Sequence, residues 1–370
     1  MKFPFTKKDN NFISSLKSKQ LEKKEKEYQM EMNAAHEYFE RFIRVNQEDI
    51  DLTKPLLEVV NLRKQYYGKK HPTIDNLNFK VYPGEFHAFV GANGAGKTTT
   101  IKSIIGSYRN FDGSIYISGI DNKNLESRTK MGYIPENTFF PSRISSFDYL
   151  YYTAKLNKIK SKEAKLFAES ILKKFRMWDL RNQSPNNFSS GQKKKILLAQ
   201  ALSNNPDILI MDEPTANLDP KARIDFFDIL GELQKLHKSI FISSHILSEL
   251  DLYSNAVTIL DNGKIVYTQK RNKNENGEMC YRIKLVEDFE GDKVGKYEVN
   301  SNNEIIYEFK DKNELAELID KLISKEILVK FEKYYLSIED LYKKYVIYGS
   351  VDTKETGNLD KERKNPQTFF

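Results

Sequence analysis

Sulfur chemistry is nearly missing from this sequence: 370 residues hold one cysteine, Cys280. A lone thiol forms no internal disulfide and no cysteine-built zinc or iron–sulfur centre, and it fits a reducing compartment. The five histidines are scattered, so no metal-ligand spacing appears. No stretch approaches the roughly 18 to 20 uninterrupted apolar residues of a membrane-spanning helix, and Met1 to Gln20 lack the apolar block of a secretory leader. The chain is expected to be soluble and not to cross a bilayer itself. Charge of one sign is also in short supply. The 59 basic and 52 acidic side chains leave +7, and lysines alternate with glutamates and aspartates instead of massing together. Such a balance does not establish nucleic-acid binding.

Aromatic residues reach 12%, too many for wholesale disorder, and the length suits two or three domains. Residues 1–54 are rich in lysine and glutamate, with Tyr28, Met32, Ala35, Phe39 and Phe42 spaced three or four apart. That spacing predicts an amphipathic helical extension whose stripe docks either on this chain's own core or on a partner subunit. From Leu56 the texture changes. The runs LLEVV (56–60), FHAFV (86–90), DILIM (207–211) and SIFIS (239–243) predict buried parallel strands. Two helices are expected between Ser145 and Phe175, and Asp261-Asn262-Gly263 marks a turn between two strands. The polar segment Lys270 to Gly277 reads as a linker. Beyond it, YRIKLV (281–286), EIIYEF (304–309), NELAELIDKLI (313–323), EILVKF (326–331) and SIEDLYKKY (337–345) predict a small α+β domain over 278–350. Residues 351–370 are expected to be a disordered tail.

Chemistry concentrates in two places. Gly91-Ala92-Asn93-Gly94-Ala95-Gly96-Lys97-Thr98 fits the phosphate-binding pattern G-x-x-x-x-G-K-[ST], after a strand and before a helical run. Glycines at 91, 94 and 96, with Asn93 between them, let the backbone curl so that its N–H groups and the helix's positive end face a phosphate chain. Lys97 then pairs with the β/γ-phosphates, Thr98 offers a hydroxyl to Mg²⁺, and Thr99 reaches the α-phosphate. Farther on, the apolar run Ile208 to Met211 ends in Asp212-Glu213. Adjacent side chains on a strand point to opposite sides, so the two acids hold two jobs. Asp212 suits the magnesium shell, and Glu213 polarises water for attack on the γ-phosphate.

Between those motifs, Phe188-Ser189-Ser190-Gly191-Gln192 resembles the L-S-G-G-Q signature of ATP-binding cassette (ABC) proteins. The stretch from about Leu56 to Thr268 is similar to the nucleotide-binding subunit of an ABC transporter, of the single-cassette export type with separate permeases. The resemblance implies an α/β fold: a phosphate-loop NTPase core over 55–270, with an antiparallel β subdomain and a helical subdomain, plus the small C-terminal α+β appendage. It implies ATP and Mg²⁺ as cofactors and an ATPase activity. By the same resemblance His245 senses the γ-phosphate and Tyr67, with Tyr66 as rival, stacks on adenine. Ser189, Gly191 and Gln192 contact the nucleotide of a second cassette, in a homodimer or heterodimer, and Asp219 couples the two sites. Glu136 stands where the family places a glutamine and is expected in the metal's ligand shell. Phe188, Ser190 and Lys195 also depart from the usual leucine, glycine and arginine, and Ser190 puts a Cβ where backbone approaches phosphate.

The implied partners are membrane permease subunits, met through Glu136 to Asp148 with Phe139, Phe140 and Phe147 as anchors. The implied place is cytoplasmic, peripheral on the inner face of the cell membrane, and no nucleic acid is expected. Two alternatives stay open. One is a soluble ABC-type mechanoenzyme acting on nucleic acid or ribosomes, although the second cassette, zinc insertion and long coiled coil typical of such proteins do not occur in this sequence. The other is a regulatory binder that holds ATP without turnover.

Overall fold

Continuous apolar runs can be buried on both faces only inside a layered sheet, and such a sheet organises this protein. The structure, a computed structural model, describes residues 26, 29–43, 51–137, 139–270, 279–286, 289, 291, 293–294, 297–299, 303–308 and 312–348. Tyr28, most of the expected linker and the expected tail 351–370 lie outside the described residues. Helix α1 (29–43) is followed by β1 (Leu57–Lys64), β2 (Ile74–Val81), β3 (Phe86–Gly91) and α2 (Lys97–Ile104). Next come β4 (Asp112–Ile117), β5 (Ile120–Asp121), β6 (Met131–Ile134), α3 (Ser146–Leu156), α4 (Ser161–Lys174) and α5 (Ser190–Leu202). Then follow β7 (Ile208–Met211), α6 (Pro220–Lys235), β8 (Ser239–Ser244), α7 (Leu247–Tyr253), β9 (Ala256–Asp261) and β10 (Lys264–Lys270). The C-terminal part holds β11 (Met279–Leu285), β12 (Lys293–Val294), β13 (Tyr297–Glu298), β14 (Glu304–Glu308), α8 (Lys312–Ser324), β15 (Leu328–Tyr335) and α9 (Ile338–Tyr342).

The central sheet runs β10-β9-β3-β8-β7-β6, with β3, β6, β7, β8 and β9 parallel and β10 antiparallel at its edge. Every residue of β3, β7 and β8 is buried. Alternate side chains serve two cores. Ala88, Val90, Leu209 and Ile242 face the helices, whereas Phe89, Ile210 and Phe241 face α2 and a second sheet. The carboxyl ends of β3, β7 and β8 share one edge, where ligands of open α/β sheets bind.

The second sheet, β2-β1-β4-β5, is antiparallel and corrects one expectation. LLEVV was expected as a buried parallel strand, but β1 pairs antiparallel with both β2 and β4. Leu57, Val59 and Leu62 point inward, while Glu58 and Val60 are only half-buried. The glutamate inside the run is the mark of a one-faced antiparallel strand.

Asn262 and Gly263 both adopt positive φ, 45° and 76°, as a two-residue hairpin between β9 and β10 requires. Helix α1 lies on α4 of the same chain. Phe39 and Ile43 are buried, Phe42 meets Phe167 at 5.0 Å between ring centroids, and Phe39 meets Phe175 edge-on at 6.2 Å. In the C-terminal part, the sheet β14-β11-β15 buries Ile283, Leu285 and Ile305 against Leu315, Leu318 and Leu322 of α8. Helix α9 then returns to the main core, where the Ile338 N–H donates to Asp251 Oδ1 at 2.9 Å and Tyr345 stacks on Tyr267 at 4.7 Å.

Candidate active site

The loop between β3 and α2 is built on backbone that only glycine tolerates. Gly96 has φ 112°, and a Cβ there would fall 2.6 Å from Ile74 Cγ2 and 3.1 Å from the Thr73 carbonyl. Immediately after it α2 begins, presenting the N–H groups of its first turn at a positive helix end. A cleft of about 560 Å³ opens over this loop, lined by Asn93, Gly94, Gly96, Lys97, Thr98 and Thr99 and, from other elements, by Tyr66, Glu136, Glu213, Asn217 and His245. Gly91 lies beneath, its carbonyl accepting from Lys97 Nζ at 2.7 Å. The same ammonium sits 3.3 Å from Glu213 Oε1.

Asp212 and Glu213 diverge as expected, but for a different reason. β7 ends at Met211, so strand alternation is not the cause. Glu213 adopts φ 45°, in the left-handed region that a non-glycine residue occupies under strain. The turn leaves Asp212 buried beneath the loop, accepting from Thr98 Oγ1 at 3.2 Å and from Ser243 Oγ at 3.0 Å. It sends the Glu213 carboxylate into the cleft, with Oε2 2.8 Å from His245 Nδ1. Burial pushes the Asp212 carboxyl above the usual range, the bonds from Ser243 and Thr98 oppose that rise, and the charges of Glu213 and Glu136 add to it.

These oxygens suit a magnesium ion. The Thr98 hydroxyl and the Asp212 carboxylate meet, and Glu136 lies on the same cleft wall. Among the described residues no group of three or more histidines, cysteines or acids forms a cage. Magnesium needs none, because it takes one or two protein carboxylates and completes its shell with phosphate and water.

Five sequence-derived positions lie elsewhere. Tyr67 is fully exposed and outside the cleft lining; the tyrosine on the wall is Tyr66, whose hydroxyl is 3.2 Å from Thr99 Oγ1. Ser189 and Gln192 cap α5 reciprocally: the Gln192 N–H donates to Ser189 Oγ at 3.3 Å and the Ser189 N–H to Gln192 Oε1 at 3.0 Å. Gly191 is buried against α6, where a Cβ would fall 2.7 Å from that of Ala222. Asp219 caps α6, accepting from the Ala222 N–H at 2.9 Å. None of Ser189, Gly191, Gln192 and Asp219 lines the cleft. The aromatic anchors divide as well. Phe139 is exposed, Phe147 stacks on Tyr151, and Phe140 is buried edge-on to Tyr149, which removes it from any surface contact.

Two residues were missed. Lys194 is buried and its ammonium donates to the carbonyls of Pro135 and Glu136 at 2.7 and 2.6 Å. Burial pushes it down to about 8, against the opposing charges of Glu136 and Asp212. Its signal was helical spacing: Gly191, Lys194 and Leu198 share the buried stripe of α5. Ser243 was hidden in the run that forms β8.

Comparison with known proteins gives the following. The sequence profile of the family described as "ABC transporter" matches residues 74–216. A putative ABC transporter ATP-binding protein of Mycoplasma pneumoniae is 46% identical over 233 residues, covering 62% of this chain and 72% of that protein. The high-affinity zinc uptake system ATP-binding protein ZnuC of Bacillus subtilis is 33% identical over 218 residues, covering 56% and 93%. A solved ATP-binding subunit of an ABC transporter superposes with a TM-score of 0.54 at 30% identity, over 58% of this chain and 90% of that one.

Proposed function

We propose, because the chain belongs to the family of ABC transporter ATP-binding proteins, that it drives export through separate membrane subunits by closing on ATP against a second cassette. It is the ATP-binding subunit of an ABC transporter, and it is an ATPase. One observation carries the finer reading. Lys97, the Thr98–Asp212 pair and the Glu213–His245 pair converge on a single open cleft, while Ser189 to Gln192 lie outside it. The cleft is therefore half of a site whose other half is a second cassette's signature.

In this reading the phosphates rest on the loop from Ala92 to Thr99, at the positive end of α2. Lys97 exchanges its contacts with Gly91 and Glu213 for the β/γ-phosphates. Tyr66, not Tyr67, provides the ring beside adenine. Glu213 accepts the proton of the attacking water. His245 holds the carboxylate's second oxygen, and because an ionised carboxylate only accepts, Nδ1 carries the hydrogen of that contact. Thr98, Asp212 and Glu136 would hold Mg²⁺, which when bound neutralises phosphate charge. ATP joins the two halves, and hydrolysis releases them.

No helix among the described residues is long and apolar enough to cross a membrane. The pathway in this reading belongs to partner subunits, which meet the chain at the cytoplasmic face near exposed Phe139. Export is the direction implied by the sequence's resemblance to single-cassette export ATPases. Identifying the multi-span protein that co-purifies from detergent-solubilised membranes tests that pairing; a solely ribosomal or nucleic-acid-bound pool would count for the mechanoenzyme reading.

The chemistry is tested by Glu213→Gln. Phosphate release should fall at least about a hundredfold, the usual contribution of a positioned base, with ATP binding retained. Release at the wild-type rate would show that Glu213 is not the base that activates water.

A further inference from the structure

Ser243 belongs to none of the roles above and does not line the cleft. It sits buried on β8. Strands β7 and β8 run parallel with Met211 opposite Ile242, so the next residue of each chain segment brings Asp212 beside Ser243 at the carboxyl edge. The Ser243 hydroxyl donates to Asp212 Oδ1 at 3.0 Å and accepts the Glu213 N–H at 3.0 Å. A hydroxyl has one hydrogen to give. Here that hydrogen goes to a carboxylate oxygen, and a lone pair goes to an amide, which can only donate.

The amide it holds belongs to the strained residue. Glu213 has φ 45°, and apart from the Ser243 bond its backbone is tied by its carbonyl, which accepts from the Ala216 N–H at 3.2 Å. Strained backbone persists where surrounding contacts over-determine it. This turn decides whether the Glu213 carboxylate follows Asp212 beneath the loop or faces Lys97 and His245 across the cleft. We propose that Ser243 is a positioning residue for hydrolysis: its hydroxyl locks the turn at Glu213 and thereby aims that carboxylate at the attacking water, without touching the nucleotide. The inference rests on the reading of Glu213 as the residue that activates water.

Ser243→Ala removes both hydrogen bonds and adds no bulk, and Ser243→Thr restores the hydroxyl. The full-length chain is assayed for steady-state ATP hydrolysis, for affinity toward a fluorescent ATP analogue, and for its thermal midpoint. Misaiming a reacting group by about 1 Å costs on the order of a hundredfold. Ser243→Ala should therefore lower kcat by roughly ten- to a hundredfold, with KM, analogue affinity and thermal midpoint near wild type and most of kcat recovered in Ser243→Thr. A merely structural role would move affinity and thermal midpoint together with kcat, and that pattern overturns the proposal. Should Ser243→Ala fail to fold, Ser243→Cys, similar in shape but a poor acceptor, is read by the same split. Glu213→Gln is run alongside. If it abolishes turnover while Ser243→Ala and Ser243→Cys keep kcat, the role of Ser243 is overturned and that of Glu213 stands. If Glu213→Gln turns over normally, the premise itself is overturned.

Discussion

At the scale of single residues, a cation taken out of water leaves a pH signature. Lys238, in the turn before β8, is buried and donates to Asn205 Oδ1 at 2.6 Å and to the Pro206 carbonyl at 2.7 Å. Burial pushes its ammonium down to about 8, and the charge of Asp207 only partly opposes that. Between that value and the ordinary lysine value the unfolded chain binds a proton that the folded chain has lost, so stability rises with pH across this window. The gain is on the order of 3 kcal/mol at its upper end. Urea unfolding at pH 7.5 and pH 10 measures it as a difference: wild type should gain on Lys238→Met as pH rises, and a gap independent of pH would refute the assignment. Residues such as this mark the limit of what sequence discloses. The phosphate loop was legible because its glycines answer a local backbone need. Ser243 was not, because a serine in an apolar run declares its partners only once β7 and β8 are in register. Tyr66 and Tyr67 were inseparable for a similar reason: which ring faces the cleft depends on how the chain turns after β1.

Secondary-structure elements were read best where their pattern is self-contained. The two helices α3 and α4, the strands β3, β7 and β8 and the hairpin at Asn262-Gly263 all carry their periodicity or turn chemistry within a few residues. β1 was expected to be parallel and is antiparallel, because strand direction is a property of the pair. For α1 the stripe was legible but its occupant was not, since Phe167 and Phe175 lie far along the chain. The contact predicts a local effect. Phe39 is buried, and truncating a buried phenylalanine costs about 3 to 5 kcal/mol when the site cannot collapse. Helix α1 can instead lift away, which caps the loss at the free energy of its own docking. In Phe39→Ala, hydrogen exchange should therefore accelerate across residues 29–43 while α2 and the cleft stay protected and ATP affinity holds. Loss of protection in α2 as well would show that α1 is part of the cooperative core.

For the whole molecule, the decisive feature is that the phosphate loop and the signature segment do not meet within one chain. The loop, Glu213 and His245 line the cleft, whereas Ser189 and Gln192 are engaged in capping α5 and Gly191 rests on α6. Capping still leaves the front of α5 a positive helix end, suited to the γ-phosphate of a nucleotide held by another cassette. Closure then depends on a nucleotide that is bound but not consumed, a condition Glu213→Gln creates. With saturating ATP and Mg²⁺, Glu213→Gln should run in multi-angle light scattering near twice the 43.2 kDa chain mass. Lys97→Ala should remain single because the phosphates lose their cation. Glu213→Gln combined with Ser189→Arg separates holding ATP from closing on it: the nucleotide stays bound while a bulky side chain blocks the approaching face, so this protein should also stay single. If Glu213→Gln remains at one chain mass despite bound ATP, the complementary signature belongs to a different subunit, and mixing with that subunit should restore the paired mass.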